Sequence, residues 1–254
     1  MTVEQTGRLD RGDGVELAWA SLPGDGPTVV FLGGFRSDME GTKALALRDF
    51  CARQGQAFLR LDYSGHGVSG GRFEDGCIGE WADDAARVID ARAPGPVILI
   101  GSSMGGWISM LLARRWAARV RGLIGIAAAP DFTSRLMEPA LTEAQRAELA
   151  SNGLFLEPNP YGPPVPITAK LLEDGRKQSV MESPLPFAGP VRLLQGMQDA
   201  EVPWHTATDI AQHLDGHDVR VLLIKDGDHR LSRPGDLALL EATLAGVLRL
   251  IQGG

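Results

Sequence analysis

Ser103 lies in a glycine-flanked segment of the kind that presents a nucleophilic serine. Gly101 precedes it by two positions and Gly105 follows it by two, after the apolar run 97–100 and before a helical pattern. Side chains at the two glycine positions would obstruct the sharp strand-to-helix turn that exposes the serine hydroxyl. The hydroxyl then stands at a helix N-terminus, where developing negative charge is favoured. Ser102 lacks glycines at these offsets, so we predict Ser103 as the nucleophile; a Ser/Gly-rich turn that only caps the helix is the alternative.

His229 is the predicted general base for this serine. Serine is a poor nucleophile unless a base lies within hydrogen-bond reach and a carboxylate orients that base. In strand–turn–helix sites of this kind the acid and then the histidine follow the nucleophile along the chain. His229 follows the last predicted strand, 219–224, in a glycine-containing loop, whereas His66 precedes Ser103. The remaining histidines lie around helix ends and turns: His205, His213 and His217.

Asp199 is the predicted acid that orients the histidine. It lies a short turn beyond the predicted strand 191–194, at the end where the other predicted site residues cluster. Glu201 is the second candidate, with Asp226 and Asp228 behind it. An aspartate that only caps a turn or a helix is the alternative explanation of Asp199.

Two backbone N–H groups are needed to bind the oxyanion of the tetrahedral intermediate, and losing one such donor costs about 3 kcal/mol of barrier. We predict Met104, the residue after the nucleophile, as one donor. We predict Phe35 as the other, in the glycine-rich loop that follows the strand 29–32. A plain strand–helix turn is the alternative for this loop. Arg36 beside it is either a ligand for a substrate carboxylate or a solvated surface arginine.

Short apolar runs alternate with longer amphipathic stretches, which predicts an α/β fold with a mostly parallel central sheet flanked by helices. The segment 15–20 alternates and predicts an antiparallel edge hairpin. The predicted strands are 29–32, 57–61, 97–100, 123–127, 191–194 and 219–224, and the predicted helices of the core are 41–50, 81–91, 105–120 and 237–251.

The segment 131–186 interrupts this alternation, and half of the sixteen prolines fall within it. Long inserts in compact domains are usually functional or disordered. We predict that 131–186 is a lid inserted into a hydrolase core made of 1–130 and 187–254; a structural crossover without a role in substrate choice is the alternative. A capping box at 142–145 predicts a short helix through Ala150, and 167–176 is a second candidate helix. Lid residues that could face a substrate are Leu154, Phe155 and Tyr161.

The composition is that of an ordinary globular domain, with 44% hydrophobic and 22% charged residues. A net charge of −7 argues against nucleic acid or an anionic membrane surface as the main partner. No window holds ~18 uninterrupted apolar residues, so no membrane span is expected. The first fourteen residues carry no leader pattern, which predicts a cytoplasmic location. We expect a monomer or a homodimer that acts on a small molecule or an acylated protein.

Cys51 and Cys77 are the two cysteines, too few for a disulfide framework in a chain of this length. Both are predicted to be reduced and structural. No cluster of cysteine and histidine shows metal-ligand spacing, so no metal is expected.

A set of motifs resembles one subgroup of the α/β-hydrolase-domain enzymes, the mitochondrial palmitoyl-protein thioesterase and acyl-glucuronide esterase subgroup. The likeness extends from about Val29 to the last helix. The motifs are Gly33-Gly34-Phe35, Gly41-Thr42-Lys43-Ala44-Leu45-Ala46, Asp62-Tyr63-Ser64-Gly65, Gly101-Ser102-Ser103-Met104-Gly105-Gly106-Trp107, Gly196-Met197-Gln198-Asp199, Val202-Pro203-Trp204-His205 and Asp228-His229-Arg230.

The resemblance implies that Ser103, Asp199 and His229 form a catalytic triad, that acyl thioesters or activated acyl esters are hydrolysed, and that no metal or organic cofactor is needed. The sequence departs from the subgroup where Gly33 replaces a proline and Phe35-Arg36 replaces a tyrosine–aliphatic pair. These departures affect the expected substrate contacts more than the chemistry. The absence of a transit-like pattern at the N-terminus suggests a bacterial-type cytosolic relative.

We predict a serine hydrolase that cleaves acyl esters or thioesters through an acyl-enzyme. The same triad could instead serve C–C bond hydrolysis or perhydrolysis, and the fold could instead belong to a catalytically silent ligand-binding protein. Trp204 is a candidate substrate contact in an apolar acyl pocket, whereas Trp107, on the helix after Ser103, is predicted to be core.

Overall fold

The computed structural model describes residues 3–158 and 163–253, and ten strands build the sheets within these ranges. The strands are β1 (Gln5–Asp10), β2 (Glu16–Leu22), β3 (Asp25–Leu32), β4 (Gln56–Leu61), β5 (Val97–Ser102), β6 (Val120–Ile126), β7 (Leu154–Glu157), β8 (Val165–Thr168), β9 (Val191–Gly196) and β10 (Val219–Ile224). Eight of them form a central sheet in the order β1-β2-β4-β3-β5-β6-β9-β10, and β7 and β8 form a separate antiparallel pair.

The central sheet is parallel except at one edge. The six strands from β4 to β10 in the sheet order pair in parallel, whereas β1 and β2 form an antiparallel hairpin that joins β4. The predicted α/β fold is therefore confirmed, and the predicted edge hairpin is observed. Because parallel strands end at the same edge, the residues after β3, β5, β9 and β10 are brought together there.

Eight α-helices accompany the strands in the part of the chain that the structure describes. They are α1 (Thr42–Gln54), α2 (Ile78–Arg92), α3 (Met104–Arg115), α4 (Glu138–Ala140), α5 (Glu143–Asn152), α6 (Ala169–Lys177), α7 (His205–His213) and α8 (Pro234–Gln252). Among residues 3–158 and 163–253, no helix has the length and apolar character needed to cross a membrane.

The sheet is covered on both faces, as its central strand shows. All six residues of β5 are buried. Its alternate side chains point to opposite faces, so that Leu99 packs with α2 and α3 while Ile98 packs with α1 and α8. This two-sided burial explains the uninterrupted apolar run of the strand. Trp107 is fully buried in the first of these layers, as predicted.

The predicted helix 105–120 is too long. Helix α3 ends at Arg115, and Val120 already begins β6. The reversal occurs at Trp116, where the N–H groups of Arg119 and Val120 both donate to the Trp116 carbonyl. Helical spacing alone could not separate Val120 from α3, because strand pairing with β5 decides its conformation.

The insertion 131–186 contains a π-helical turn (Thr133–Met137) followed by α4, α5, the β7–β8 pair and α6. The predicted capping box is observed: the Thr142 hydroxyl accepts from the Gln145 N–H, and the Gln145 side chain accepts from the Thr142 N–H. The predicted helix 167–176 is displaced, because Ile167 belongs to β8 and the helix begins at Ala169. The predicted substrate-facing Tyr161 lies outside the described residues.

Buried hydrogen bonds fix the second half of the insertion to the core. The carboxylate of Asp131, which is 2% exposed, accepts from the N–H groups of Val180 at 2.9 Å and Met181 at 3.1 Å. The Trp107 indole donates to the carbonyl of Gln178 at 3.0 Å. Since a buried carboxylate with such donors is costly to disturb, these bonds hold this half of the insertion in one position.

The middle of the insertion packs its own small apolar cluster, which we call the lid cluster: Phe155, Ile167 and Leu172. Phe35, in the loop after β3, packs against this cluster. The insertion therefore contacts the predicted oxyanion loop through an aromatic side chain. Whether it acts as a lid stays a prediction.

Candidate active site

The backbone at Ser103 has the conformation of a sharp strand-to-helix turn. Its φ of 52° and ψ of −117° lie in a region that costs a non-glycine residue about 1–3 kcal/mol. Close backbone packing maintains this conformation. A Cβ added to Gly101 would lie 2.2 Å from the Gly105 carbonyl oxygen, and a Cβ added to Gly105 would lie 2.1 Å from the Leu32 carbonyl oxygen. Both glycines are therefore required for the turn to form.

Asp199 and His229 meet at the same sheet edge, after β9 and β10. The Asp199 Oδ2 and His229 Nδ1 atoms are 2.8 Å apart, and the Asp199 side chain is fully buried. Its Oδ1 atom accepts from the N–H groups of Glu201 and Val202, and Oδ2 also accepts from the Gln195 amide. Asp199 therefore caps its own turn, which was the alternative explanation of this residue, and it also contacts His229.

The charge of Asp199 follows from these contacts. Burial raises the pKa of the carboxyl, but the hydrogen bonds from His229 and from the Val202 and Glu201 N–H groups outweigh burial and hold the pKa below its ordinary value. The group is consequently ionised at neutral pH. An ionised acceptor at Nδ1 favours the tautomer in which Nε2 is free to accept a proton.

The rival acids take other positions. Glu201 reaches the opposite nitrogen of the imidazole, with its Oε2 atom 3.5 Å from His229 Nε2 and its side chain 72% exposed. Asp226 pairs with Arg233, and Asp228 accepts from the Leu231 N–H within the loop. Of these carboxylates, only Asp199 contacts Nδ1.

His66 is a buried core histidine. Its Nδ1 atom lies 3.1 Å from the Ser64 carbonyl, and its ring packs edge-on against Tyr63, Phe73 and Trp81. Burial lowers its pKa to about 4, so the ring is neutral. This environment agrees with its exclusion on chain order.

A cavity of about 610 Å³ opens beside Ser103 and His229. Its walls come from the loop after β3, the first turn of α1 and the loop after β10, and its lining includes the predicted residues Phe35 and Arg36. The predicted contact Trp204 does not line it: this side chain is 40% exposed at the start of α7. A second cavity, of about 710 Å³ between α2, α3 and α6, contains none of the predicted site residues.

The loop after β3 approaches the nucleophile closely. A Cβ added to Gly34 would lie 3.4 Å from the Ser103 Cβ, so the backbone of this loop borders the serine. The Phe35 ring is held edge-on by Phe73, Phe132 and Trp81 at centroid distances of 4.9–5.9 Å. Met104 begins α3, where its N–H has no carbonyl acceptor within the helix. Both predicted oxyanion donors are thus neighbours of Ser103.

Lys43 also lines the cavity, although the sequence marks it only as part of the motif at 41–46. It lies in the first turn of α1, and its amine donates to the Arg230 carbonyl in the loop that carries His229. Burial, together with the nearby Arg230 charge, lowers its pKa to about 8. One feature of the sequence could have singled out Lys43 as a site residue: it is a cation in the first turn of a predicted helix, where acidic residues are favoured.

Cys51 and Cys77 are both buried, and neither takes part in a disulfide. Burial raises their pKa values to about 12 and about 11, so neither is a thiolate at neutral pH. Cys77 lies at the larger cavity, away from the predicted site residues.

Comparison with known proteins gives consistent matches. The family described as serine aminopeptidase S33 (Hydrolase_4) matches residues 26–154. The mitochondrial palmitoyl-protein thioesterase ABHD10 of Bos taurus is 37% identical over 238 residues, which cover 93% of this chain and 78% of the relative, and the Homo sapiens protein matches equally.

Solved structures agree with these matches. A putative hydrolase from Agrobacterium vitis S4 has a TM-score of 0.92 and 42% identity, covering 98% of this chain and 99% of that one. Mouse α/β-hydrolase domain-containing protein 10 has a TM-score of 0.88 and 34% identity, covering 97% and 99%. The resemblance predicted from the motifs is confirmed.

Proposed function

This chain belongs to the α/β-hydrolases of the serine aminopeptidase S33 family, and we propose that it hydrolyses acyl esters or acyl thioesters with Ser103, His229 and Asp199 as its catalytic triad. The observation that carries the proposal is the 2.8 Å contact between Asp199 and His229, at a cavity that also contains the strained Ser103 turn. The relatives named thioesterases support the reaction class.

The first half of the proposed reaction acylates Ser103. The Ser103 Oγ atom attacks the carbonyl carbon while His229 Nε2 takes the hydroxyl proton. Asp199 keeps the Nδ1 proton in place and stabilises the imidazolium that forms. The N–H groups of Phe35 and Met104 hold the oxyanion, since preorganised donors act most strongly on charge that develops in the transition state.

Acylation ends when the leaving group departs, and the second half of the reaction then releases the acyl group. The imidazolium of His229 donates its proton to the departing thiol or alcohol, and the tetrahedral intermediate collapses to the acyl-enzyme. A water molecule then attacks the acyl carbonyl as His229 Nε2 accepts its proton. When this second tetrahedral intermediate collapses, His229 returns the proton to Ser103 Oγ and the carboxylic acid leaves. Glu201, 3.5 Å from Nε2, lies beside the charge that forms in each half.

The insertion 131–186 is proposed to act as a lid that influences the site through Phe35. This role rests on the packing of Phe35 against the lid cluster. A cytoplasmic location and a monomeric or dimeric state are proposals from the sequence, which fractionation of the source cells and sedimentation would test.

A kinetic comparison of wild type and Ser103→Ala tests the proposed function. Hydrolysis of p-nitrophenyl esters and acyl thioesters should fall by a factor on the order of 10⁶, the loss typical of a triad nucleophile. Unchanged folding, followed by circular dichroism, is the control. Turnover of either substrate class near the wild-type rate in this variant would exclude the mechanism.

A further inference from the structure

Three cationic side chains line the cavity beside Ser103 and His229: Arg36, Lys43 and Arg230. Most arginines in the described part of the chain contact a carboxylate, as Arg60 and Arg233 do. Within residues 3–158 and 163–253, no carboxylate lies within ion-pair distance of these three. In a protein of net charge −7, unpaired cations that meet at a cavity indicate an anionic ligand.

The position of Lys43 opposes local stability. It lies in the first turn of α1, which holds no acidic residue, so the helix dipole repels its charge. The side chain is half-buried, and burial and Arg230 lower its pKa to about 8. An anion in the cavity would offset both the repulsion by the helix dipole and the repulsion by Arg230.

The two acidic residues of the cavity lie elsewhere. Glu201 reaches His229 Nε2 and is otherwise exposed. Asp38 accepts from the Glu40 N–H within its own turn. Asp228 and Asp236 attract Lys43 at longer range, but they are engaged with the Leu231 N–H and with Arg233, and neither forms an ion pair with it. The three cations therefore remain available to a ligand.

Two of the three cations, Lys43 and Arg230, border the loop that carries His229, whereas Arg36 follows Phe35 in the cavity wall formed by the loop after β3. His229 must deliver its proton to the departing atom, and Arg230 is its neighbour in the chain. Lys43 is hydrogen-bonded to the carbonyl of Arg230, which places it beside the same loop. The acyl carbonyl, in contrast, must point toward the Phe35 and Met104 N–H groups. A charge held by Lys43 and Arg230 therefore belongs to the thiol or alcohol that departs, and Arg36 lines the same cavity.

We propose that Arg36, Lys43 and Arg230 bind the phosphate of the leaving group, so that acyl thioesters of phosphorylated thiols are preferred over neutral thioesters. This inference rests on the proposed function and adds the class of leaving group. A phosphate carries nearly two charges and three acceptor oxygens, which suits three separate cations better than a single carboxylate does.

The test compares acyl-coenzyme A with the N-acetylcysteamine thioester of the same acyl group, which has the same reacting atoms but no phosphate. We expect wild type to show a kcat/KM ratio of at least about thirtyfold in favour of acyl-coenzyme A at low salt, falling as salt is added. Arg36→Gln, Lys43→Gln and Arg230→Gln should each lower this ratio about threefold, and the triple variant about thirtyfold. Lys43→Arg should retain most of it.

The matched control is Arg121→Gln, which removes an exposed, unpaired arginine from β6 and should leave the ratio unchanged. A wild-type ratio near one, or equal losses on both thioesters, would overturn the proposal. So would a preference for the thioester of 3-mercaptopropionate over acyl-coenzyme A, since that would assign the subsite to a carboxylate.

Binding provides a readout that does not depend on turnover. A non-hydrolysable thioether of coenzyme A, titrated calorimetrically, should bind wild type and Ser103→Ala equally and the triple variant about thirtyfold more weakly. If the thioether binds as expected but no hydrolysis depends on Ser103, the proposed function is refuted and the phosphate subsite is not. Equal binding by wild type and the triple variant would refute the phosphate subsite alone.

Discussion

The turn at Ser103 and the insertion 131–186 both border the loop after β3, but different forces hold them. At the turn, backbone atoms of β3, β5 and α3 approach so closely that Gly101 and Gly105 leave no room for a side chain. The insertion is held by side chains: the buried carboxylate of Asp131 and the lid cluster around Phe155. Backbone packing fails abruptly on substitution, whereas side-chain contacts weaken in steps. We therefore expect substitutions at the turn to abolish hydrolysis and substitutions in the insertion to lower activity or stability by degrees.

Gly105→Ala should have the largest effect. Its Cβ would overlap the Leu32 carbonyl oxygen, and no side-chain movement relieves a backbone clash. We expect loss of hydrolysis and a fall in the free energy of unfolding of at least about 3 kcal/mol, measured by denaturant titration. Gly95→Ala is the control, because nothing lies within 4 Å of a Cβ at that site. A stable, active Gly105→Ala protein would contradict the packing argument.

Asp199→Asn should follow in size. The amide can present its NH₂ to Nδ1 and stabilise the wrong tautomer, so we expect kcat to fall on the order of 10⁴-fold. Glu201→Gln, two residues away on the same turn, should reduce kcat less than about tenfold because it contacts Nε2 from solvent. Equal losses in the two variants would show that Glu201 shares the role of the acid.

Phe155→Ala tests the insertion. Removing the ring from the lid cluster should loosen Phe35 and cost about 3 kcal/mol of stability, while kcat falls about tenfold with little change in KM. The neighbouring Leu156 is 58% exposed, so Leu156→Ala should leave both quantities near wild type. Full activity in Phe155→Ala would show that the insertion does not reach the oxyanion loop.

Asp131→Asn should have the smallest effect on catalysis. Asparagine tolerates the φ of 55° at this position and keeps one acceptor oxygen, but it loses the charge that receives the Val180 and Met181 N–H groups. Thermal or denaturant unfolding should show a loss of about 2 kcal/mol with kcat within threefold of wild type. Asp209→Asn, which breaks a surface pair with Arg135, is the control. A large fall in kcat with little loss in the free energy of unfolding would instead show that Asp131 belongs to the active site.

The turn could be predicted from the sequence because its cause is local. Glycines lie two residues before and two residues after Ser103 because a side chain at either position would not fit in the turn. The strand before the turn is recognisable from its apolar run. Asp199 and His229 follow predicted strands, and parallel strands bring their ends to one edge. Strand order and the parallel direction of the strands were therefore enough to predict that Ser103, Asp199 and His229 lie in one region.

The rest depends on contacts between distant residues. Val120 belongs to β6 rather than α3 because it pairs with β5, and Ile167 belongs to β8 because β7 pairs with it. The exposure of Trp204 and the approach of Lys43 to the Arg230 carbonyl are likewise set by packing between elements. No local pattern in the sequence encodes such pairings.

The most direct test of the central claim is the site at which a fluorophosphonate attaches. Labelled protein, digested and analysed by mass spectrometry, should carry one adduct, on Ser103, and the adduct should disappear in Ser103→Ala but persist in Ser102→Ala. An adduct on another residue, or retained hydrolysis without an adduct on Ser103, would contradict the account.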